Sequence, residues 1–287
     1  MLSSLHEMLH RALELLPLGA WQRRRFDAAF VKGAYGGRCR GVYSSHAEAA
    51  AAALHAIPVG YDNEASARLY RERLERIYPA DYPMMLWLDR IFEAGARRVF
   101  DLGGHVGIAY YAYRRIVRYP ADLSWVVHDV PAVVKAGQAL ARVRDKFGQI
   151  SFVDAPTAAI EAARADVFLA AGCQQYIEQP LADRLRGLPR WPGWVLVNRI
   201  PLHEARDFWT VQSIGTALCP YHIERHSAFL DSMKALGYVI HDAWENPDMQ
   251  CEVAFAPELR LDRYQGMAFR LDPSPGDAPD RAADWSA

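Results

Sequence analysis

From residue 96 onward, short apolar runs alternate with stretches that repeat apolar positions at helical spacing. The runs Arg98–Leu102, Trp125–Asp129, Ile150–Val153, Val167–Ala171 and Trp194–Arg199 are bounded by turn residues, as strands buried on both faces should be. Between them, Ile108–Val117, Ala132–Lys146, Thr157–Ala163 and Leu181–Gly187 read as helices. Repeated strand–helix units of this length imply a parallel sheet covered by helices on both faces, an α/β fold. A further helix over Glu224–Leu236 leads into Tyr238–Ala243 and Glu252–Phe255. These two would add an antiparallel pair and bring the sheet to seven strands.

The residues ahead of this alternation follow a different grammar. Leu5 to Leu18 form an amphipathic helix pattern, followed by Arg23-Arg24-Arg25, and the expected role is docking on the domain. Residues 31–46 hold four glycines and are expected to be an irregular loop. An Ala-rich helix (Glu48–Ala56) and a turn at Gly60-Tyr61-Asp62-Asn63 come next, then one or two helices over 64–95, broken near Pro79 and Pro83. The expected organisation is therefore an N-terminal helical cap and substrate lid over 1–95, a core over 96–271, and a disordered tail over 272–287 rich in Pro and Asp.

Composition narrows the function. Of 287 residues, 33 are Lys or Arg and 34 are Asp or Glu, a net charge of −1. Nothing in that balance supplies the basic face that neutralising many phosphates needs, so no nucleic-acid partner is expected. The four cysteines (Cys39, Cys173, Cys219, Cys251) form no paired spacing, which argues against a zinc ribbon or a disulfide framework. No apolar run has the length of a membrane span, and the arginine cluster follows the first apolar stretch instead of preceding it, unlike a secretory signal. A cytoplasmic enzyme is the expectation.

The sharpest local signal is Val99-Phe100-Asp101-Leu102-Gly103-Gly104-His105-Val106-Gly107. A strand ends on an acid, a glycine turn follows, and a helix begins. Glycines let the backbone pass close to a ligand, and the helix start offers unpaired N–H groups. Asp129, at the end of the next strand, is placed to accept hydrogen bonds from ribose hydroxyls. The glycine spacing does not match the Gly-x-Gly-x-x-Gly of dinucleotide folds. A carboxylate beside the turn would repel a pyrophosphate, yet it suits the cationic amino-acid end of S-adenosylmethionine (SAM).

With these residues the chain resembles class I SAM-dependent methyltransferases over about residues 96–270. Val99–Gly107 is similar to their first motif, in the double-glycine form of small-molecule O-methyltransferases. His128-Asp129-Val130-Pro131 and Phe152-Val153-Asp154 resemble the ends of their second and third strands. Over about residues 30–270 the chain is similar to a smaller bacterial methyltransferase family. The matching pieces are Gly41–Ser45, Gly60–Asp62, Gln175–Glu178, Asn198–Pro201, Thr210–Gln212 and Cys219–Tyr221. The resemblance implies a Rossmann-like, doubly wound, mostly parallel seven-stranded sheet, with SAM as cofactor and S-adenosylhomocysteine (SAH) as its product. It implies cofactor contacts from Asp101, Gly103, Gly104, His105, Gly107, Asp129 and Val130, from Asp154 and Ala155 near the adenine, and from Gly172 after the fourth strand. His105 stands where such motifs usually carry glycine, and would line the methionine end.

The acceptor side departs from the pattern. Where plant-type O-methyltransferases carry a histidine base after the fourth strand, this chain has Gln175, which cannot take a proton. His203, after the fifth strand, is the candidate base, with a surface loop position as the alternative. If Glu224–Leu236 is helical, His222 and His226 share a face about Glu224, but the set lacks a third aligned ligand and no metal is expected. Candidate acceptor contacts are Tyr43, Tyr61, Asp62, Gln175, Tyr176, Arg199, Gln212 and His222. The expected activity is methylation of a small-molecule acceptor, at oxygen, in a bacterial biosynthetic pathway; a homodimer is compatible with it. A SAM enzyme catalysing a cyclisation or elimination, and a catalytically silent SAM-binding pathway partner, stay open as alternatives.

Overall fold

A computed structural model describes residues 17–53, 57–67 and 71–272. The expected helix over Leu5–Leu18 lies outside them but for its last two residues, and so does the tail beyond Asp272. In chain order the first elements are α1 (Pro17–Phe30), β1 (Cys39–Tyr43), α2 (His46–Ala53) and α3 (Glu64–Ala67). Two short 3-10 turns (Arg71–Leu74, Pro79–Asp81) then lead to α4 (Tyr82–Glu93). Pro83 does not break α4; it sits in its first turn, where the missing N–H has no partner to lose. The strand–helix alternation follows: β2 (Arg98–Leu102), α5 (Ile108–Tyr113), β3 (Ser124–His128), α6 (Pro131–Arg144), β4 (Ile150–Val153), α7 (Ala155–Arg164), β5 (Val167–Ala171), α8 (Leu181–Arg186) and β6 (Trp194–Ile200). Beyond it come β7 (Leu202–His203), β8 (Phe208–Ser213), β9 (Leu218–Arg225), α9 (His226–Lys234), β10 (Tyr238–Asn246), β11 (Val253–Ala254) and β12 (Tyr264–Leu271).

Seven strands form one sheet in the order β10-β12-β6-β5-β2-β3-β4. The five from β6 to β4 are parallel, and β12 runs antiparallel to both of its neighbours. The α/β, doubly wound, mostly parallel seven-stranded fold is therefore present. Strands β2, β5 and β6 are buried along nearly their whole length, which is why their sequences read as unbroken apolar runs. Two cores flank the sheet, one built with α4, α5 and α6 and the other with α7, α8 and α9. The chain leaves β2 toward β3 and β4, then returns to β5 on the opposite side. Between β2 and β5 the winding reverses, and in open α/β sheets ligands bind at that crevice.

Three local readings differ from the structure. The closing antiparallel strand is Tyr264–Leu271, whereas Val253–Ala254 pairs in parallel with β1 in another sheet. His222 lies in strand β9, so it shares no helical face with His226, the first residue of α9. The glycine-bearing segment 31–46 contains β1, which turns through Gly41 at φ 76°. That strand belongs to a second sheet, ordered β11-β1-β8-β9-β7. The region ahead of the core is thus joined to residues 202–225 and 253–254, and helices α1 and α2 pack on strands drawn from both ends.

Candidate functional site

The carboxyl ends of β2 and β5 open into a cavity of about 950 Å³, walled on the other side by the second sheet and its loops. Gly103 and His105 line it from the turn after β2, Gly172 from the turn after β5, and Asp129 and Val130 from the end of β3. A second, small cavity of about 60 Å³ shares Gly103, His105 and Arg73 with the first and is lined also by Asp101, Gly104 and Arg76.

The turn is shaped by what lies under it. Gly103 has φ 65°, and a Cβ there would meet the side chain of Cys173, whose thiol donates to the Leu102 carbonyl at 2.9 Å. A Cβ on Gly104 would collide with the Asp101 carboxylate. His105 adopts φ 56°, a region that histidine visits more readily than branched residues. Two contacts hold it there: its N–H donates to Asp129 Oδ2 at 2.9 Å, and its Nε2 lies 3.1 Å from the Ser66 carbonyl. Gly107, at φ 87°, is the residue before α5 and lies buried under Ile150 and Tyr111, away from the wall.

Both key carboxylates are perturbed in the same direction. Asp101 is 1% exposed, and burial pushes its carboxyl up to about 7. The Trp125 indole N–H, 3.0 Å from Oδ2, opposes that rise, while the charge of Asp129 adds to it. Asp129 is also raised by burial, against the N–H groups of Val130 and His105 that donate to its two oxygens. Asp129 lines the large cavity and Asp101 the small one that adjoins it, and a cationic ligand near either would lower that group's cost of ionising.

Of the acceptor-side candidates, Tyr61, Asp62, Gln175, Tyr176, Arg199 and Gln212 stand on the cavity wall. Tyr61 meets Tyr176 edge-on at 5.0 Å, Tyr176 meets Tyr221 likewise at 5.1 Å, and the Tyr176 hydroxyl donates to Gln212. Gln175 is 5% exposed; its amide N–H donates to the Gly172 carbonyl, and its Oε1 has no hydrogen-bond partner among the described residues. Arg199, at φ 54°, is committed to a buried ion pair with Asp81, which also accepts from the Tyr113 hydroxyl at 3.1 Å.

Besides Gly107, five candidates stand elsewhere. The His203 Nδ1 accepts the backbone N–H groups of Ala205 and Arg206, so the nitrogen expected to act as a base closes its own turn. His222 stacks flat on Trp209 at 4.4 Å and bonds Asp207 at 2.9 Å, outside the wall. Tyr43 packs with the α1–α2 core. Asp154 and Ala155 are exposed at the start of α7, where the Thr157 hydroxyl donates to the Asp154 carboxylate at 3.2 Å.

Several wall residues carried no motif. Arg73 and Arg76 both stack on the Tyr78 ring, at 5.0 and 4.9 Å. His46 enters from the start of α2, and Met249 and Gln250 from the loop after β10. No cluster of three or more potential metal ligands and no helix long and apolar enough to cross a membrane occurs among the described residues.

No family model and no curated protein matches the sequence. Among solved structures, the chain is similar to the 1,6-didemethyltoxoflavin-N1-methyltransferase of Burkholderia thailandensis, with 18% identity, 67% of this chain and 78% of that one covered, and a TM-score of 0.43. It is also similar to the magnesium protoporphyrin IX methyltransferase of Synechocystis PCC 6803, with 14% identity, 66% and 77% covered, and a TM-score of 0.42. A third is the N-terminal domain of EvdMO1, with 13% identity, 69% and 83% covered, and a TM-score of 0.46. At identities and TM-scores this low, what those proteins bind and methylate is a fact about them alone.

Proposed function

We propose that the protein is a SAM-dependent methyltransferase acting on a small-molecule acceptor at oxygen. The observation that carries this reading is the cavity at the reversal point of the sheet. There the glycine turn and the acid at the end of the next strand line the large cavity, and the buried Asp101 lines the small one that shares Gly103 and His105 with it. The residues fit the cofactor. The glycine turn sits directly against the Asp101 carboxylate because no Cβ occupies Gly104. Asp101 suits the ammonium of the methionine end, Arg73 its carboxylate, and Asp129 the ribose hydroxyls. When bound, SAM supplies an electrophilic methyl group on a sulfonium.

The rest is the work of the chain itself. The second sheet and the residues around 60 close the cavity from above, which excludes water and holds an acceptor against the turn. The edge-to-face tyrosines give the acceptor region a largely apolar, aromatic wall, suited to a small organic molecule. Near-zero net charge fits such a substrate better than a polyanion.

Calorimetry with SAM, SAH and NADH tests the cofactor. The two adenosyl ligands should bind with a stoichiometry near one and NADH should not; the reverse would overturn the reading. Turnover on a panel of hydroxyl-bearing aromatics should release SAH, whereas methylthioadenosine in its place would exclude methyl transfer.

A further inference from the structure

The cavity wall lacks a base at Gln175, and His203 points its nitrogen into its own turn. The other titratable groups near the glycine turn are engaged as well. Asp129 takes a backbone N–H on each oxygen, and Asp62 accepts the Ala132 N–H at 2.9 Å. His128 Nδ1 lies 3.1 Å from the Val153 carbonyl, and His105 Nε2 lies 3.1 Å from that of Ser66. Carbonyls only accept, so those nitrogens carry hydrogen and the lone pairs fall on His105 Nδ1 and His128 Nε2; both rings adjoin the proposed cofactor contacts Gly104 and Asp129, which puts them on the cofactor side of the cavity.

His46 is differently placed. It enters the same cavity from the start of α2, and its Nδ1 lies 3.6 Å from Glu178 Oε2. That is an ion-pair distance, too long for a hydrogen bond, to a carboxylate that is 72% exposed; its charge, facing Nδ1, draws hydrogen to that nitrogen. The lone pair then sits on Nε2, which has no partner among the described residues, on a side chain 28% exposed. The ring is fixed edge-on to Trp209 at 5.1 Å, and Trp209 is stacked on His222, itself tied to Asp207. His222 thus serves the site through a stack. Glu178 follows Gln175 and Tyr176 in one short segment, so the loop after β5 orients a histidine that the cap supplies.

Resting on the methyltransferase reading above, we propose that His46 is the proton acceptor for the substrate hydroxyl and that Glu178 is its positioning residue. As the acceptor oxygen bonds to the methyl carbon, the electron pair of the broken carbon–sulfur bond stays on sulfur. The hydroxyl proton passes to His46 Nε2, and the imidazolium, faced by Glu178, later loses it to solvent. A nucleophile or base oriented by a third group is the arrangement that makes a neutral imidazole effective at neutral pH.

The test is acceptor-independent. The full chain, loaded with SAH, is treated with diethyl pyrocarbonate, and the modification rate of each histidine is mapped by mass spectrometry. His46 should react at least about tenfold faster than His105 and His128, Glu178→Gln should slow it severalfold, and Glu178→Asp should restore it. His46→Gln should bind SAM within about threefold of wild type. On any acceptor found by SAH release, it should lose about 10²- to 10⁴-fold in kcat, the usual contribution of a general base. If His46 reacts no faster than His128, or the Glu178→Gln rate equals wild type, the proposal is overturned while normal SAM binding leaves the methyltransferase reading standing. A His46→Gln protein that loses SAM binding more than tenfold overturns it too, by making His46 a cofactor contact. Failure of the wild type to bind SAM removes both readings together.

Discussion

Lowering the pH from 8 to 6 should weaken SAM binding about tenfold through one residue, Asp101. Its carboxyl is held at about 7 because it lies 1% exposed beneath the glycine turn, and only the Trp125 N–H relieves the burial. A cation seated beside it requires the ionised form. With a midpoint near 7, about one molecule in eleven is ionised at pH 6 and about ten in eleven at pH 8, a ratio of roughly ten or ~1.4 kcal/mol. Isothermal titration at several pH values, in buffers of different ionisation enthalpy, should show the loss and, at pH 6, release of nearly one proton on binding. The same residue should act oppositely on stability. Its folded value lies above the ordinary carboxylate value of 3.8, so between those two pH values the native state holds a proton the unfolded chain has shed. Stability therefore falls as pH rises through that window, by on the order of 4 kcal/mol once both states are ionised. Asp101→Asn keeps an oxygen for Trp125 and removes the charge. It should unfold at higher urea concentration than wild type at pH 8, yet bind SAM at least tenfold more weakly and with a shallower pH slope. A flat wild-type profile, or an Asp101→Asn protein that is less stable at pH 8, would refute the reasoning.

Other consequences are open to simpler measurements. Asp129→Ala removes a charge-assisted acceptor worth about 1.5–3 kcal/mol, so SAM affinity by calorimetry should drop by one to two orders of magnitude. Gly104→Ala forces a methyl group into the Asp101 carboxylate; the protein should fold by circular dichroism but lose SAM binding. Asp81→Asn strands the Arg199 guanidinium in a buried site and should cost about 3–5 kcal/mol in urea unfolding. His203→Ala should leave SAM affinity and SAH release unchanged, because its ring nitrogen serves the turn at 205–206 and lies off the cavity wall.

Within 98–200 the sequence carried its strands almost residue by residue, whereas the helix expected over Ile108–Val117 ends at Tyr113. β2, β4 and β5 begin and end where their apolar runs do, and β3 and β6 shift by a single residue at one end or both. Strands buried on both faces need continuous apolar residues, and helices covering them need a repeating apolar stripe, so each element's environment is written within its own few residues. The glycine turn and its acid were legible for the same reason: the chemistry sits in consecutive positions.

The second sheet was not legible. β1 pairs with β8 about 170 residues away and with β11 more than 200 away, and nothing local to five residues containing Gly41 announces either partner. Thr210 and Gln212 are buried polar residues whose partners are distant in the chain: the Thr210 hydroxyl donates to the Gly41 carbonyl, and Gln212 accepts from Tyr176. The spacing of His222 and His226 fits a helix, yet cross-strand bonds to β8 make a strand of the first. The sequence alone thus determined a parallel sheet with a ligand turn at its carboxyl edge. Tertiary structure alone decided that Tyr61, Asp62, Gln175, Tyr176, Arg199 and Gln212 share the wall of one cavity with His46, while His203 lies off it. Its walls come from segments far apart in the chain, and distant pairing leaves no periodic trace in either partner.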